Sequence, residues 1–178
     1  VRRILKLKSD LGLFDEPVSG ASSVDLIGSD EHHALSARAA RDGLVLLRNE
    51  GGVLPIAEGS KILVTGPTSD DLVPLHGSWT YSWQGHERGW YPELPTVADA
   101  LRKRFGDGNV VHHAGTSYSE DIDTAAAVEA ASDADVVVLC LGENPGTERP
   151  GDLTDLNLDR AQLDLAEELI GTGKPVVL

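Results

Sequence analysis

A chain of 178 residues, 40% of them hydrophobic, is long enough for one compact domain with a sizeable core and short for two. Asp plus Glu outnumber Lys plus Arg by 29 to 15, a formal charge of −14, and so acidic a surface repels phosphate backbones and excludes nucleic acid as a partner. No apolar run nears the roughly 20 residues that span a bilayer, so no membrane partner is expected, and the single cysteine, Cys140, excludes an internal disulfide and a four-thiolate zinc site.

Residues 1–14 place Val1, Ile4, Leu5 and Leu11 on one helical face, with Gly12 as a stop. Pro17, Ser19, Gly20, Ser22 and Ser23 make residues 16–28 read as a linker. Ser29 or Asp30 caps a helix over residues 31–41, and Leu44-Val45-Leu46-Leu47 reads as a short buried strand. A strand follows at 61–65 and ends in Gly66-Pro67. Residues 68–95, rich in Gly, Pro and Trp, form a long loop of the kind that is usually functional. Thr96 caps a helix through Phe105; Val110-Val111 is a short strand, and residues 122–131 are an Ala-rich helix. Residues 136–141 are the strongest strand, a continuous apolar run suited to a parallel sheet buried on both faces. A second irregular loop covers 142–158, then come a helix over 159–170 and a last strand at 175–178. The chain shows no signal-peptide pattern at Val1 and stops inside an apolar run, which reads as a piece of something longer.

Strands separated by short helices imply right-handed βαβ crossovers, hence an α/β fold: a mostly parallel sheet with helices on both faces. Ligands of such sheets meet the carboxyl ends of the strands, and both long loops leave from there.

The candidate chemistry lies in those loops. In Gly77-Ser78-Trp79-Thr80-Tyr81-Ser82-Trp83-Gln84-Gly85, two tryptophans offer flat faces that stack on sugar rings, or else plug the loop against the sheet. The second loop, Leu141-Gly142-Glu143-Asn144-Pro145-Gly146-Thr147-Glu148-Arg149-Pro150-Gly151-Asp152, sets Arg149 among the carboxylates of Glu143, Glu148 and Asp152. A carboxylic acid there is a general acid/base if its surroundings raise its pKa, and a solvated surface group if they do not. Gly66-Pro67-Thr68 lacks the G-x-G-x-x-G and Walker A patterns, and no G-x-S-x-G elbow exists. His112 and His113 point to opposite faces of a strand, so they cannot share a metal, and neither metal nor cofactor is expected. The residues alone leave two functions open: a catalytic site, or a non-catalytic α/β module that binds a sugar or nucleotide at its edge.

Six segments in order resemble glycoside hydrolase family 3, the β-glucosidases and exo-β-glucanases. These are Val1-Arg2-Arg3-Ile4-Leu5 with Leu11-Gly12-Leu13-Phe14-Asp15; Leu44-Val45-Leu46-Leu47-Arg48-Asn49-Glu50 with Leu54-Pro55-Ile56; Ile62-Leu63-Val64-Thr65-Gly66-Pro67; the W-x-x-x-W-Q-G of Trp79 to Gly85; Leu141-Gly142-Glu143 with Thr147-Glu148-Arg149-Pro150-Gly151-Asp152 and Gln162; and Gly173-Lys174-Pro175-Val176-Val177. The resemblance implies that residues 1–15 end a preceding (β/α) barrel domain, 16–28 link, and 29–178 are an incomplete flavodoxin-like α/β sandwich, truncated at its C-terminus. It implies a retaining, exo-acting β-glycosidase that takes terminal β-D-glucosyl residues from a β-glucoside or β-glucan oligosaccharide. By position Glu148 is the general acid/base, Trp83 an aromatic wall of the leaving-group subsite and Trp79 its support. Glu143, Arg149 and Asp152 support the loop. The nucleophile Asp belongs to the N-terminal barrel, absent here, so the chain alone is expected to hydrolyse nothing. Many relatives with this loop are exported, which favours the periplasm or secretion over the cytoplasm.

Overall fold

The computed structural model describes residues 1–16, 20–91 and 94–178. Contacts divide the chain into two units, Val1–Arg48 and Asn49–Leu178. The sequence reading instead opens the sandwich at residue 29. Residues 17–19 of the expected linker, and 92–93 of the first long loop, lie outside the described residues.

The first unit holds helix α1 (Arg2–Asp10), a 3-10 segment (Ala21–Leu26) and helix α2 (Asp30–Gly43). The Ser29 hydroxyl accepts from the His32 amide, and Asp30 and Glu31 complement the dipole of the first turn. Neither helix buries a residue. One expectation fails here. Residues 44–47 form no strand, and Leu44, Val45, Leu46 and Leu47 are 64–92% exposed. An apolar run reports that burial is wanted, not which neighbour supplies it.

The second unit is built on four parallel strands, β1 (Ile62–Thr65), β2 (Val110–His113), β3 (Val136–Leu139) and β4 (Val176–Val177), in the order β2-β1-β3-β4. Ile62 sits opposite Val110 and Val136, and Val137 opposite Val176. Between them run a single turn α3 (Val73–His76) and helices α4 (Val97–Phe105), α5 (Thr124–Ser132) and α6 (Arg160–Gly171). Side-chain alternation gives each face its own core. Ile62, Val64, Val110 and Val136 pack with Ala98, Leu101 and Phe105 of α4. Leu63, Val137 and Leu139 pack with Ala127 and Ala131 of α5 and with Leu165 and Leu169 of α6. The α/β class is therefore the one the sequence implies, with helices on both faces.

The helix starts follow from local chemistry. Thr96 and Asp99 form a reciprocal capping box on α4. Asp123 caps α5 and Asp159 caps α6 through backbone amides. Chain direction around the sheet reverses between β1 and β3, so a crevice opens at their carboxyl ends. Both long loops leave from that point.

Candidate functional site

The two loops begin in backbone contact. The Cys140 amide donates to the Thr65 carbonyl (2.8 Å) and the Thr68 amide to the Cys140 carbonyl (3.3 Å). Gly66 has φ +96°, and a Cβ there would stand 2.2 Å from the Cys140 carbonyl oxygen. Burial pushes the Cys140 thiol up to about 11, so it is an inert thiol in this crevice.

Just beyond, the buried Ser69 hydroxyl donates to the Gly66 carbonyl (2.6 Å) and meets His112 Nε2 at 2.9 Å. A hydroxyl carries one proton, so His112 is assigned as the donor, with its proton on Nε2. Burial lowers the His112 pKa, opposed by Asp70 and aided by Arg102 and His113. The unfolded chain then binds the proton more readily than the folded one, so this group contributes stability above the ordinary histidine range near 6.5 and loses it as pH falls. His112→Gln, which keeps a donor for Ser69, is expected to flatten the fall in thermal stability between pH 7 and 5; a slope identical to that of the unmodified chain contradicts this.

The first loop turns on residues 77–85. The Trp79 amide donates to the Trp83 carbonyl (3.1 Å), and the Ser78 hydroxyl to the Gln84 carbonyl (3.1 Å). At the neck of the turn, a Cβ on Gly85 would stand 2.4 Å from the Gly77 carbonyl oxygen. Behind it, the buried Tyr91 stacks on His76 at 4.4 Å, Tyr81 meets both rings edge-on, and the Tyr91 hydroxyl donates to the Gly85 carbonyl. Trp79 and Trp83 are 67% and 45% exposed, so neither is a core plug.

The second loop is held at several points. Gln162, 1% exposed on α6, grips its start: Oε1 accepts from the Gly142 amide and Nε2 donates to the Gly142 carbonyl, both at 3.0 Å, with a further bond from Nε2 to the Tyr118 carbonyl. His86 bonds the Pro145 carbonyl. Gln84 then grips Thr147, with Nε2 donating to its carbonyl (3.0 Å) and Oε1 accepting from its amide (3.1 Å). Gly146 and Gly151 meet backbone to backbone, since a Cβ on Gly151 would stand 2.6 Å from the Gly146 carbonyl carbon. The segment between them is pinched off, and Glu148 leads the 3-10 turn Arg149–Gly151.

Glu148 adopts φ 54°, and Trp79 φ 58°; among the described residues these two are the non-glycines with positive φ. Such a conformation costs about 1–3 kcal/mol and persists only where surroundings over-determine it. The Gln84 grip joins the residue after Trp83 to the residue before Glu148. The structure thus brings Trp83 and Glu148, both exposed, to neighbouring backbone, with Trp79 hydrogen-bonded to the same turn.

The three residues expected to support the loop are placed differently. Glu143, Arg149 and Asp152 are exposed and make no side-chain hydrogen bond or ion pair among the described residues. The loop's fixed points are Gln84 and Gln162 instead, because a carboxamide satisfies the backbone N–H and C=O of one residue together and a carboxylate cannot. Sequence reasoning carried both glutamines as motif letters without a role. Glu143 lines a cleft of about 520 Å³ together with Tyr118, Asn144, Asp155 and Arg160. That cleft does not include Trp79, Trp83 or Glu148, all three of which are exposed.

A parallel sheet with helices on both faces and its two long loops at the switch point is an α/β domain of the doubly wound class. The family model for the glycosyl hydrolase family 3 C-terminal domain matches residues 44–178, and the chain belongs to that family. It is 37% identical to a lysosomal beta glucosidase of Dictyostelium discoideum over 100% of the chain and 23% of the relative. A periplasmic beta-glucosidase of Salmonella typhimurium is 30% identical over 99% of the chain and 26% of the relative. Among solved structures, the beta-glucosidase from Listeria innocua in complex with glucose superposes with a TM-score of 0.80 at 34% identity, over 98% of the chain and 23% of that protein. The chain thus spans about a quarter of the length of these relatives.

Proposed function

We propose that the chain is part of a retaining, exo-acting β-glycosidase that hydrolyses terminal β-D-glucosyl residues of β-glucosides or β-glucan oligosaccharides. Glu148 is the general acid/base. As an acid it gives its proton to the glycosidic oxygen while an Asp of an N-terminal barrel domain attacks the anomeric carbon. As a base it then takes a proton from the water that hydrolyses the glycosyl–enzyme bond, with the two carboxyls about 5–5.5 Å apart. Trp83 stacks the departing sugar, and Trp79, bonded to the Trp83 carbonyl, holds that wall in place.

The observation that supports this reading is the two-pronged bond from Gln84 to Thr147, which joins the residue after Trp83 to the residue before Glu148. The exposure of Trp79, Trp83 and Glu148 fits a half-site completed from another domain. Residues 1–15 belong to the end of the barrel and 16–28 to the link. The apolar surface of Leu44, Val45, Leu46 and Leu47 is of the kind another module covers. By itself the chain turns over no aryl β-glucoside. The names of the lysosomal and periplasmic relatives support an exported enzyme, and among the described residues no helix is long and apolar enough to cross a membrane.

The test in the full-length enzyme is Trp83→Ala. It is expected to raise KM for a β-linked glucose disaccharide about tenfold, the equivalent of roughly 1.4 kcal/mol of stacking. KM for methyl β-glucoside, whose leaving group is too small to stack, stays within about twofold. Equal changes for both substrates would remove the aromatic wall from the account.

A further inference from the structure

We infer that Gln84 is a positioning residue: its carboxamide fixes the backbone on both sides of the Thr147 Cα so that the Glu148 carboxyl meets the leaving-group oxygen of a sugar stacked on Trp83. This rests on the acid/base reading of Glu148 and adds to it the group that aims the acid.

The geometry carries the step. Nε2 donates to the Thr147 carbonyl at 3.0 Å and Oε1 accepts from the Thr147 amide at 3.1 Å, so the backbone N–H and C=O of one residue are both taken, across 63 positions of sequence. A single bond would leave one of the two peptides that flank the Thr147 Cα free to turn. The pair holds both, the 146–147 peptide by its N–H and the 147–148 peptide by its C=O, and with them the direction in which the next residue leaves. That next residue is Glu148, held at φ 54°, a conformation that relaxes once its neighbours let go. The Gly146–Gly151 pinch closes the base of the turn and the bond from His86 holds Pro145, but neither bonds the peptide that leads directly into Glu148.

Gln84 is itself held. Its carbonyl accepts from the Ser78 hydroxyl, and Gly85 beyond it is locked by the Gly77 approach and by the Tyr91 hydroxyl. Trp83 is bonded into the same turn through its carbonyl. The stacking wall and the acid therefore hang from the two ends of one amide pair, and a sugar bound on the wall finds the acid already oriented.

The experiment uses the full-length enzyme with 2,4-dinitrophenyl β-glucoside, which needs no proton, and a β-linked glucose disaccharide, which does. Gln84→Met keeps the length of the side chain and removes both bonds. It is expected to lower kcat/KM on the disaccharide about 30-fold or more, within the roughly hundredfold that a 1 Å misplacement costs, and kcat/KM on the dinitrophenyl substrate, which reports the step that needs no proton, less than about threefold. Gln84→Glu keeps the acceptor for the Thr147 amide and falls between Gln84→Met and the unmodified enzyme; it decides the question alone if Gln84→Met does not fold. In a Glu148→Ala background Gln84→Met has no further effect on the ratio of the two rates. A Gln84 variant that slows both substrates alike, or keeps its selectivity without Glu148, overturns the inference while Glu148→Ala alone stays selective. A Glu148→Ala enzyme with no selectivity overturns the acid/base reading and this inference with it.

Discussion

Glu148→Ala in the full-length enzyme is expected to slow the disaccharide about 10²–10⁴-fold, the usual contribution of general acid–base catalysis. The argument is chemical. An alkoxide of glucose is a poor leaving group, so bond cleavage needs the proton that Glu148 carries. Dinitrophenolate leaves unaided, so the first step on that substrate loses little. The second step still lacks its base, and the glycosyl–enzyme accumulates. A burst of dinitrophenol followed by slow turnover is the expected trace, with kcat and KM falling together for the activated substrate. Uniform slowing of both substrates, without a burst, would place Glu148 outside the chemistry. Glu143→Ala and Asp152→Ala are the matched controls, because each removes an exposed carboxylate of the same loop that makes no side-chain bond among the described residues. Neither should alter leaving-group selectivity.

The largest expected effect on stability falls at Gly66→Ala. A Cβ there would lie 2.2 Å from the Cys140 carbonyl oxygen and 2.8 Å from its carbon, both rigid backbone atoms. The β1 and β3 ends must then part, breaking the bonds between Cys140 and residues 65 and 68. The φ of +96° adds strain for any side chain. Together these place the loss near 4 kcal/mol, the level reserved for backbone and packing failures. The expected fall in melting temperature is roughly 10–15 °C at about 2–4 °C per kcal/mol. Gly171, where a Cβ would meet nothing within 4 Å, is the control, and Gly171→Ala should leave the melting point unchanged or raised. A Gly66→Ala chain that melts like its parent would mean that the two loop origins are not locked together.

What the residues disclosed and what they hid divides along range. Thr96 with Asp99 announces the start of α4, because a capping box is complete within four residues. The apolar run at β3 announces a strand buried on both faces, and the order of strands and helices announces parallel crossovers. Both loops were locatable, since each is a long break in periodicity directly after a strand. Leu44, Val45, Leu46 and Leu47 were misjudged because hydrophobicity carries no address: the same run serves a sheet or an exposed face awaiting cover. Gln84 and Gln162 were missed for the opposite reason. Their partners, Thr147 and Gly142, lie 63 and 20 residues away, and no local pattern distinguishes a glutamine that grips a distant peptide from one in water. Assigning loop support to Glu143, Arg149 and Asp152 followed charge, whereas the bonds that hold the loop come from side-chain amides that match the backbone N–H and C=O of one residue.

The central claim is that Glu148 presents a proton to a sugar whose anomeric carbon a second carboxylate attacks from the opposite face. The most direct measurement is the anomeric configuration, by proton NMR, of the product formed when Glu148→Ala full-length enzyme turns over 2,4-dinitrophenyl β-glucoside in azide. Azide entering the space vacated by the carboxyl must give β-glucosyl azide, with faster turnover as azide rises. An α-configured azide, or glucose alone at an unchanged rate, would contradict the account.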